Sequence, residues 1–323
     1  MGSEMCIRDR NLAHLYYFRK LVEVRNYSRA AQELFIAQPT LSLAVTSLER
    51  ELGCALVKKK RNILELTEDG EDFYEAVVVA MNSLDNVTQK IRERSFAEAG
   101  TIRVGTVYSI QGQAWSAAIR DYHRAAKNHA RIKWKQGTTE SLMKDLKNGS
   151  LDVIMAGVLE KPDPEVESIP CFSQSAELLC HRAHPLATRK EVSLDELGAY
   201  PIITYAAKDG PFAREIASLL AGHPDLNVAF DYNDEITLAS LVTADPHMLS
   251  IVCHSWLVDA FPDVATVTIK EAPVDFHRFY ISYRKRERLS LAVEEFVDFM
   301  KDYDFVNVSP QAGEDEHVPI DLL

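Results

Sequence analysis

The sequence predicts an α+β chain: a small N-terminal helical module with a β-hairpin, then one long helix, then a larger α/β body. Three observations lead there. Apolar residues recur at helical spacing between residues 12 and 53, and two short β-rich runs follow. A second apolar repeat, in steps of four and three, runs from Phe73 to Ile91. From Thr101 onward, β-rich runs alternate with helical stretches. The length of 323 residues agrees, since one core rarely organises more than about 250–300.

The first ten residues, "MGSEMCIRDR", do not join the pattern and are read as a non-native or disordered extension. Leu15, Phe18, Leu21 and Val22 then mark one face of a first helix. Ser28 is the expected N-cap of a second, running to Leu34. A third begins near Gln38, with Pro39 in its first turn, where a missing N–H is tolerated. Its inward stripe is Leu41, Val45, Leu48 and Leu52, and Gly53 ends it. Ala55–Lys58 and Ile63–Leu66 flank "KKRN" and read as a hairpin with a basic tip. Thr67 suits the cap of the long helix, expected to reach about Arg94. Its seam of Phe73, Val77, Ala80, Leu84, Val87 and Ile91 spans under three heptads, too short to stand alone, so a partner helix is expected.

In the body, "TIRVGTV", "ARIKWKQG", "LDVIMAGV", "YPIITYA", "LNVAFDY" and "MLSIVC" read as strands. Helices are expected over Trp115–Ala126, Thr139–Asn148, Phe212–Ala221 and Ile236–Val242, which predicts mainly parallel strands. "FHRFYISYRKR" and "LSLAVEEFVDFMKDY" close the body, and residues 304–323 read as an acidic, disordered tail.

Hydrophobic residues make up 46% of the chain and charged residues 26%, as in ordinary globular proteins. No run of 18 apolar residues could span a membrane, and no apolar leader marks a secretory signal. The five cysteines form no CxxC pair and suggest reduced thiols, hence a cytoplasmic chain. The net charge of −12 at first argues against nucleic acid, but its distribution does not. Residues 1–70 hold eleven Lys/Arg against nine Asp/Glu, a net of +2, and the remainder 25 against 39, a net of −14. Four basic residues, Lys58–Arg61, are consecutive, so one surface can approach phosphates.

Two helices joined by a short turn, followed by a hairpin with a basic tip, make a winged helix-turn-helix. Its third helix combines a buried stripe with small polar outer residues, as entry into a major groove about 12 Å wide requires. Gln38 can pair with an adenine edge, Thr40 and Ser42 can reach bases or phosphates, and Lys59, Lys60 and Arg61 can hold the flanking backbone. An ordinary three-helix packing unit with a solvated face is the alternative for these residues taken alone.

Residues 11–70 resemble the N-terminal domain of LysR-type transcriptional regulators. The likeness is carried by "HLYYFRKLVEVRNYSRAAQELFIAQPTLSLAVTSLERELGCALVKK" and the closing "LTEDG". It extends more weakly over residues 71–303, which implies a linker (dimerisation) helix and hinge over 71–99. An effector-binding domain like periplasmic binding proteins, over 100–303, follows. The implied Rossmann-like subdomains are 101–170 plus 275–303, and 171–274. The resemblance implies DNA contacts from Ser28, Gln38, Pro39, Thr40 and Ser42, with Lys59 retaining a phosphate contact where many members carry Arg. At Leu43 many members have Arg or His. A leucine cannot donate to guanine, and either touches a thymine methyl or sits at the groove edge. Implied partners are operator DNA, further copies of the chain as a dimer of dimers, and RNA polymerase.

The implied ligand is a small-molecule effector in the cleft between subdomains, with no other cofactor. Ser109 and Thr138 are the candidates on one wall, and Thr204, Tyr205 and Phe212 on the other. Ser109 and Thr138 precede helices, so capping is an equal alternative, and Phe212 is equally well a core residue. "TADPHMLSIV" departs from a Gly-rich segment common in the family, which puts the pocket near Asp245, Pro246 and His247 in question. Two other classes compete: a solute-binding protein and an enzyme on the α/β body, with structural N-terminal helices. The first leaves residues 11–66 unexplained. For the second the sequence shows no GxSxG, no Walker motif and no metal-ligand spacing, so neither an enzyme nor a metal site is expected.

Overall fold

The computed structural model describes residues 12–60, 63–96, 100–127, 129–157, 163–207, 212–285 and 288–305. They form two compact units, one N-terminal and one from residue 99 onward apart from residues 147–150. The expected extension at residues 1–10 and the expected tail beyond Phe305 lie outside the described residues, but Phe305, counted in the expected 304–323 tail, is buried in the core of the second unit's first sheet, because its ring packs on Phe172 and Tyr303.

In the first unit, α1 (Leu12–Val24), α2 (Tyr27–Glu33) and α3 (Gln38–Leu52) precede an antiparallel hairpin, β1 (Val57–Lys60) and β2 (Ile63–Leu66), and the long α4 (Glu68–Phe96). Phe18, Leu21, Leu41 and Leu48 are fully or almost fully buried and hold α1 against α3. Leu15 and Leu52 are partly buried at the edge of this core. Asn26, not Ser28, caps α2: its side chain accepts from the Arg29 N–H at 3.0 Å. Ser28 lies exposed one residue inside the helix. Asx and Ser side chains cap equally well, so a sequence carrying both two positions apart does not choose between them.

Between α2 and α3 the chain turns at Phe35, which is 96% exposed with φ +55°. That left-handed conformation favours Gly or Asn. Gly53 ends α3 in the same region, at φ +74°, with its N–H donating to the Glu49 carbonyl. Thr67 caps α4, accepting from the Gly70 N–H at 3.0 Å while its hydroxyl donates to the Ala55 carbonyl at 2.6 Å. The α4 seam divides. Phe73 and Val77 pack into the module, Phe73 at 5.6 Å from Phe18, whereas Leu84, Val87 and Ile91 are about half exposed.

The second unit contains two sheets. The first, ordered β4-β3-β5-β13-β6, takes β3 (Thr101–Thr106), β4 (Arg131–Gln136), β5 (Val153–Ala156), β6 (Val166–Gln174) and β13 (His277–Arg284). Helices α5 (Gln113–Ala125), α6 (Thr139–Lys147) and α9 (Leu291–Lys301) accompany it. The second, ordered β10-β9-β11-β7-β12-β8, takes β7 (Ala176–His181), β8 (Glu191–Val192), β9 (Ile202–Tyr205), β10 (Val228–Tyr232), β11 (Leu249–Cys253) and β12 (Val264–Ile269). Its helices are α7 (Ala213–Leu220) and α8 (Glu235–Ala244).

Each sheet has its own apolar core. Both are mixed rather than mainly parallel: β13 runs antiparallel to β5 and β6, and β7 to β11 and β12. The subdomain boundary near residue 171 moves to 175, because Val166–Gln174 is one unbroken strand of the first sheet. Its half-buried, mixed-polarity pattern hid it from a periodicity reading. No described helix is long and apolar enough to cross a membrane.

Gly70, in "LTEDG", sits where a Cβ would lie 2.0 Å from the Leu56 carbonyl oxygen. That neighbour is backbone and cannot yield. Gly70→Ala is expected to destabilise the N-terminal unit by about 1–3 kcal/mol, measured as a lower denaturation midpoint.

Candidate functional site

Two surfaces gather the residues singled out in the sequence. The first is the outer side of α3. Leu41, Ala44, Val45 and Leu48 face inward and are buried. Outward stand Pro39, Thr40, Leu43, Thr46 and Arg50, all exposed. Gln38 is exposed at the helix start, and Ser42 is half-buried beside the core stripe. No side chain caps this end: Ala37 is the N-cap. Pro39 has no N–H and the Thr40 N–H donates to the Ala37 carbonyl at 3.0 Å, which leaves the Gln38 N–H of the first turn for an acceptor such as a phosphate oxygen. In the hairpin, Lys60 pairs with Ile63 and Lys59 with Leu64 in register. This sets both lysines next to the two-residue tip. Arg61, and with it the tip, lies outside the described residues.

The second surface lies where the two sheets of the second unit present their strand ends. Thr138 caps α6, its hydroxyl oxygen accepting from the Ser141 N–H at 3.3 Å. The cap uses a lone pair and leaves the hydroxyl proton free to donate. Ser109 lies half-buried in a short turn after β3, and its carbonyl accepts from Gln174 Nε2 at 3.1 Å. It does not cap α5, whose N-cap is Gly112 with no side-chain bond. Hence the two alternatives part: Thr138 caps a helix and Ser109 does not.

Thr204 and Tyr205 are completely buried. The Thr204 hydroxyl donates to the Ile251 carbonyl at 2.7 Å. The Tyr205 hydroxyl donates to Glu235 at 2.9 Å and accepts from the Cys253 N–H at 3.1 Å. Both hydroxyl protons are spent within the second subdomain, one on strand β11 and one on helix α8, so these residues shape the wall and do not offer donors to a ligand. Burial pushes the Tyr205 hydroxyl well above its ordinary pKa, and Glu235 adds to the shift. Burial likewise raises the Glu235 carboxyl, against the hydrogen bonds it accepts.

Phe212, half-buried with φ +59°, packs edge-on to Tyr205 at 4.9 Å and to His277 at 4.6 Å. His277 Nδ1 lies 2.9 Å from Glu215 Oε1. Burial acts to raise the Glu215 carboxyl, but the His277 bond and its own backbone N–H outweigh it and hold it low. Gln174, Glu215, Glu235 and His277 escaped the sequence reading because their partners lie 30 to 79 residues away, beyond any local pattern. The Asp245–His247 turn, closed by the His247 N–H on Asp245, enters β11 at its N-terminal end. Tyr205 and Cys253 lie at the opposite strand ends, so this departure leaves the Phe212 wall alone. No group of metal-ligating side chains occurs among the described residues.

A helix-turn-helix with a wing, carried with an α/β body of two subdomains, defines a DNA-binding regulator with a ligand-binding domain. Residues 12–71 match the family model "Bacterial regulatory helix-turn-helix protein, lysR family", and residues 97–304 match "LysR substrate binding domain". The chain belongs to the LysR family of transcriptional regulators. It is 28% identical over 244 residues to the transcriptional regulator BenM of Acinetobacter baylyi, covering 75% of this chain and 79% of BenM. Full-length CbnR in complex with its target DNA has a similar fold, with TM-score 0.68 and 21% identity over 90% of this chain and 99% of CbnR. The effector-binding domain of QuiR in complex with shikimate is similar too, with TM-score 0.55 and 21% identity over 63% of this chain and 96% of that domain.

Proposed function

We propose that this chain reads operator DNA with the outer side of α3 and the basic hairpin, and regulates transcription from there in response to a small organic acid. Its role is regulatory rather than enzymatic, exercised in the cytoplasm, where RNA polymerase would be its further partner. The observation that carries the reading is the division of α3 into a fully buried stripe and an exposed side of small and polar residues that begins at Gln38 with no side-chain cap. Gln38 and Thr40 meet base edges, Pro39 and Ser42 line the entry, and Ser28 meets a phosphate from the first turn of α2. Lys59, Lys60 and Arg61 hold the flanking backbone. The target DNA bound by CbnR supports the same reading.

Gln38→Ala is expected to relax base preference and weaken the best site by about 1–3 kcal/mol. Lys59→Ala is expected to weaken binding to all sequences alike and to flatten the dependence on salt. Fluorescence anisotropy on a selected site and on random duplex separates the two. Equal, sequence-independent losses would refute this division of roles.

The exposed Leu84, Val87 and Ile91 stripe of α4 supports pairing with α4 of a second copy, and the family resemblance extends this to a dimer of dimers. Leu84→Lys leaves the N-terminal core untouched but places a charge in that seam. It is expected to shift the protein toward monomer in sedimentation and to weaken binding of two-half-site DNA strongly. A wild-type protein that sediments as a monomer at micromolar concentration, yet binds such DNA tightly, overturns this.

For the effector, Ser109 and the free proton of Thr138 supply hydroxyl donors. The N-termini of α5 and α6 supply N–H groups that favour a carboxylate, and Phe212 supplies an apolar wall. The shikimate bound by QuiR supports an acid. Thermal-shift screening of carboxylates against their amides is expected to give hits among the acids, and Thr138→Val to abolish them. Hits confined to neutral or cationic compounds, or unchanged by Thr138→Val, would show the assignment to be wrong.

A further inference from the structure

Most of the outer side of α3 is explained by polar contacts, but its central position is not. Leu43 is 71% exposed. It stands four residues from Pro39 and three from both Thr40 and Thr46, all exposed, and so lies in the middle of the outward stripe rather than at its margin. The inward stripe is complete without it: Leu41, Ala44, Val45 and Leu48 are all buried. A large side chain left in water at the centre of a surface built to enter a groove calls for a partner of matching chemistry.

We propose that Leu43 selects thymine, by burying its isobutyl group against the 5-methyl of a thymine in the major groove. The inference rests on the reading of α3 as the recognition helix. The major-groove edges of guanine, cytosine and adenine are polar, and the thymine methyl is the apolar group presented there. Leucine has no donor or acceptor. Placed over guanine or cytosine, it would strip water from polar base atoms and return no hydrogen bond. It therefore acts in both directions, favouring thymine by apolar contact and disfavouring a G·C pair by unpaired polar edges. Pro39, Thr40 and Thr46, all exposed, flank it on the same stripe, so the methyl meets Leu43 at the centre of the surface. Arginine at this position would instead read guanine, so a leucine changes which base is chosen and not merely how tightly.

The test uses the full-length protein and DNA. A randomised duplex library is selected for binding, and each thymine of the enriched site is replaced in turn by deoxyuridine, which removes the methyl and nothing else. The expected result is one thymine per half-site at which uracil weakens binding roughly three- to fivefold, the size of one methyl group's burial. In Leu43→Ala that sensitivity disappears at that position alone, while low-salt binding to random DNA shows that the variant is folded. Leu43→Arg is expected to turn the preference there from T to G. Enrichment of a site with no methyl-sensitive thymine, or a methyl effect that survives Leu43→Ala, overturns the proposal. Failure of the wild-type protein to enrich any sequence overturns the reading of α3 itself.

Discussion

A helix can offer one side to a ligand only if the other side is held firmly enough to fix its position. In this chain that constraint falls on the inward stripe of α3. Leu41, Ala44, Val45 and Leu48 are buried to within a few per cent, and α1 supplies the opposing surface through Phe18 and Leu21. Burial of the larger of these side chains contributes roughly 1.5–3 kcal/mol each, far more than any exposed polar residue on the outer side. The outer side is therefore free to vary. Leucine can stand at position 43 and proline at 39 without disturbing the fold, because neither is needed to hold the helix down.

The same asymmetry explains what could be read from the sequence. Elements that bury one stripe announce themselves by spacing, and α1, α3, the hairpin and α4 were legible within a few residues. Sharp chemical signals were legible too: Gly53 as the end of α3 and Thr67 as the cap of α4. Where two residues could do one job, the sequence was silent, as with Asn26 and Ser28. Strand direction was silent as well. An antiparallel strand such as β13 carries the same apolar run as a parallel one, and its neighbours β5 and β6 are settled by long-range pairing.

The candidate effector wall shows a different limit. Residue type at the strand ends was legible, but not whether a hydroxyl was spent. Thr204 and Tyr205 look like donors in a sequence. In the fold, one donates to Ile251 and the other to Glu235, and a buried donor already satisfied gains little by turning outward. Thr138 differs because a hydroxyl oxygen that accepts a cap bond keeps its proton. Its capping role and its proposed ligand role are therefore compatible, although the sequence sets them as rivals. The chemistry of each hydroxyl follows from which of its two functions the fold has already used.

The long helix α4 joins these themes. Its 29 residues extend about 43 Å at the helical rise, and its apolar seam changes partner part-way along. Near its start, Phe73, Tyr74 and Val77 pack on Phe18 and its neighbours, so this part belongs to the module's own core. Further along, Leu84, Val87 and Ile91 continue the same spacing with about half of each side chain in water. A continuous helix does not kink sharply between the two parts without a specific cause such as proline, and residues 68–96 contain no proline. Whatever covers the outer seam is therefore coupled rigidly to α1, and through the α1 core to α3. If the cover is a second α4, the separation of two recognition helices is set by packing along one helix, and the spacing of the DNA half-sites follows from the position of Leu84 relative to Val77.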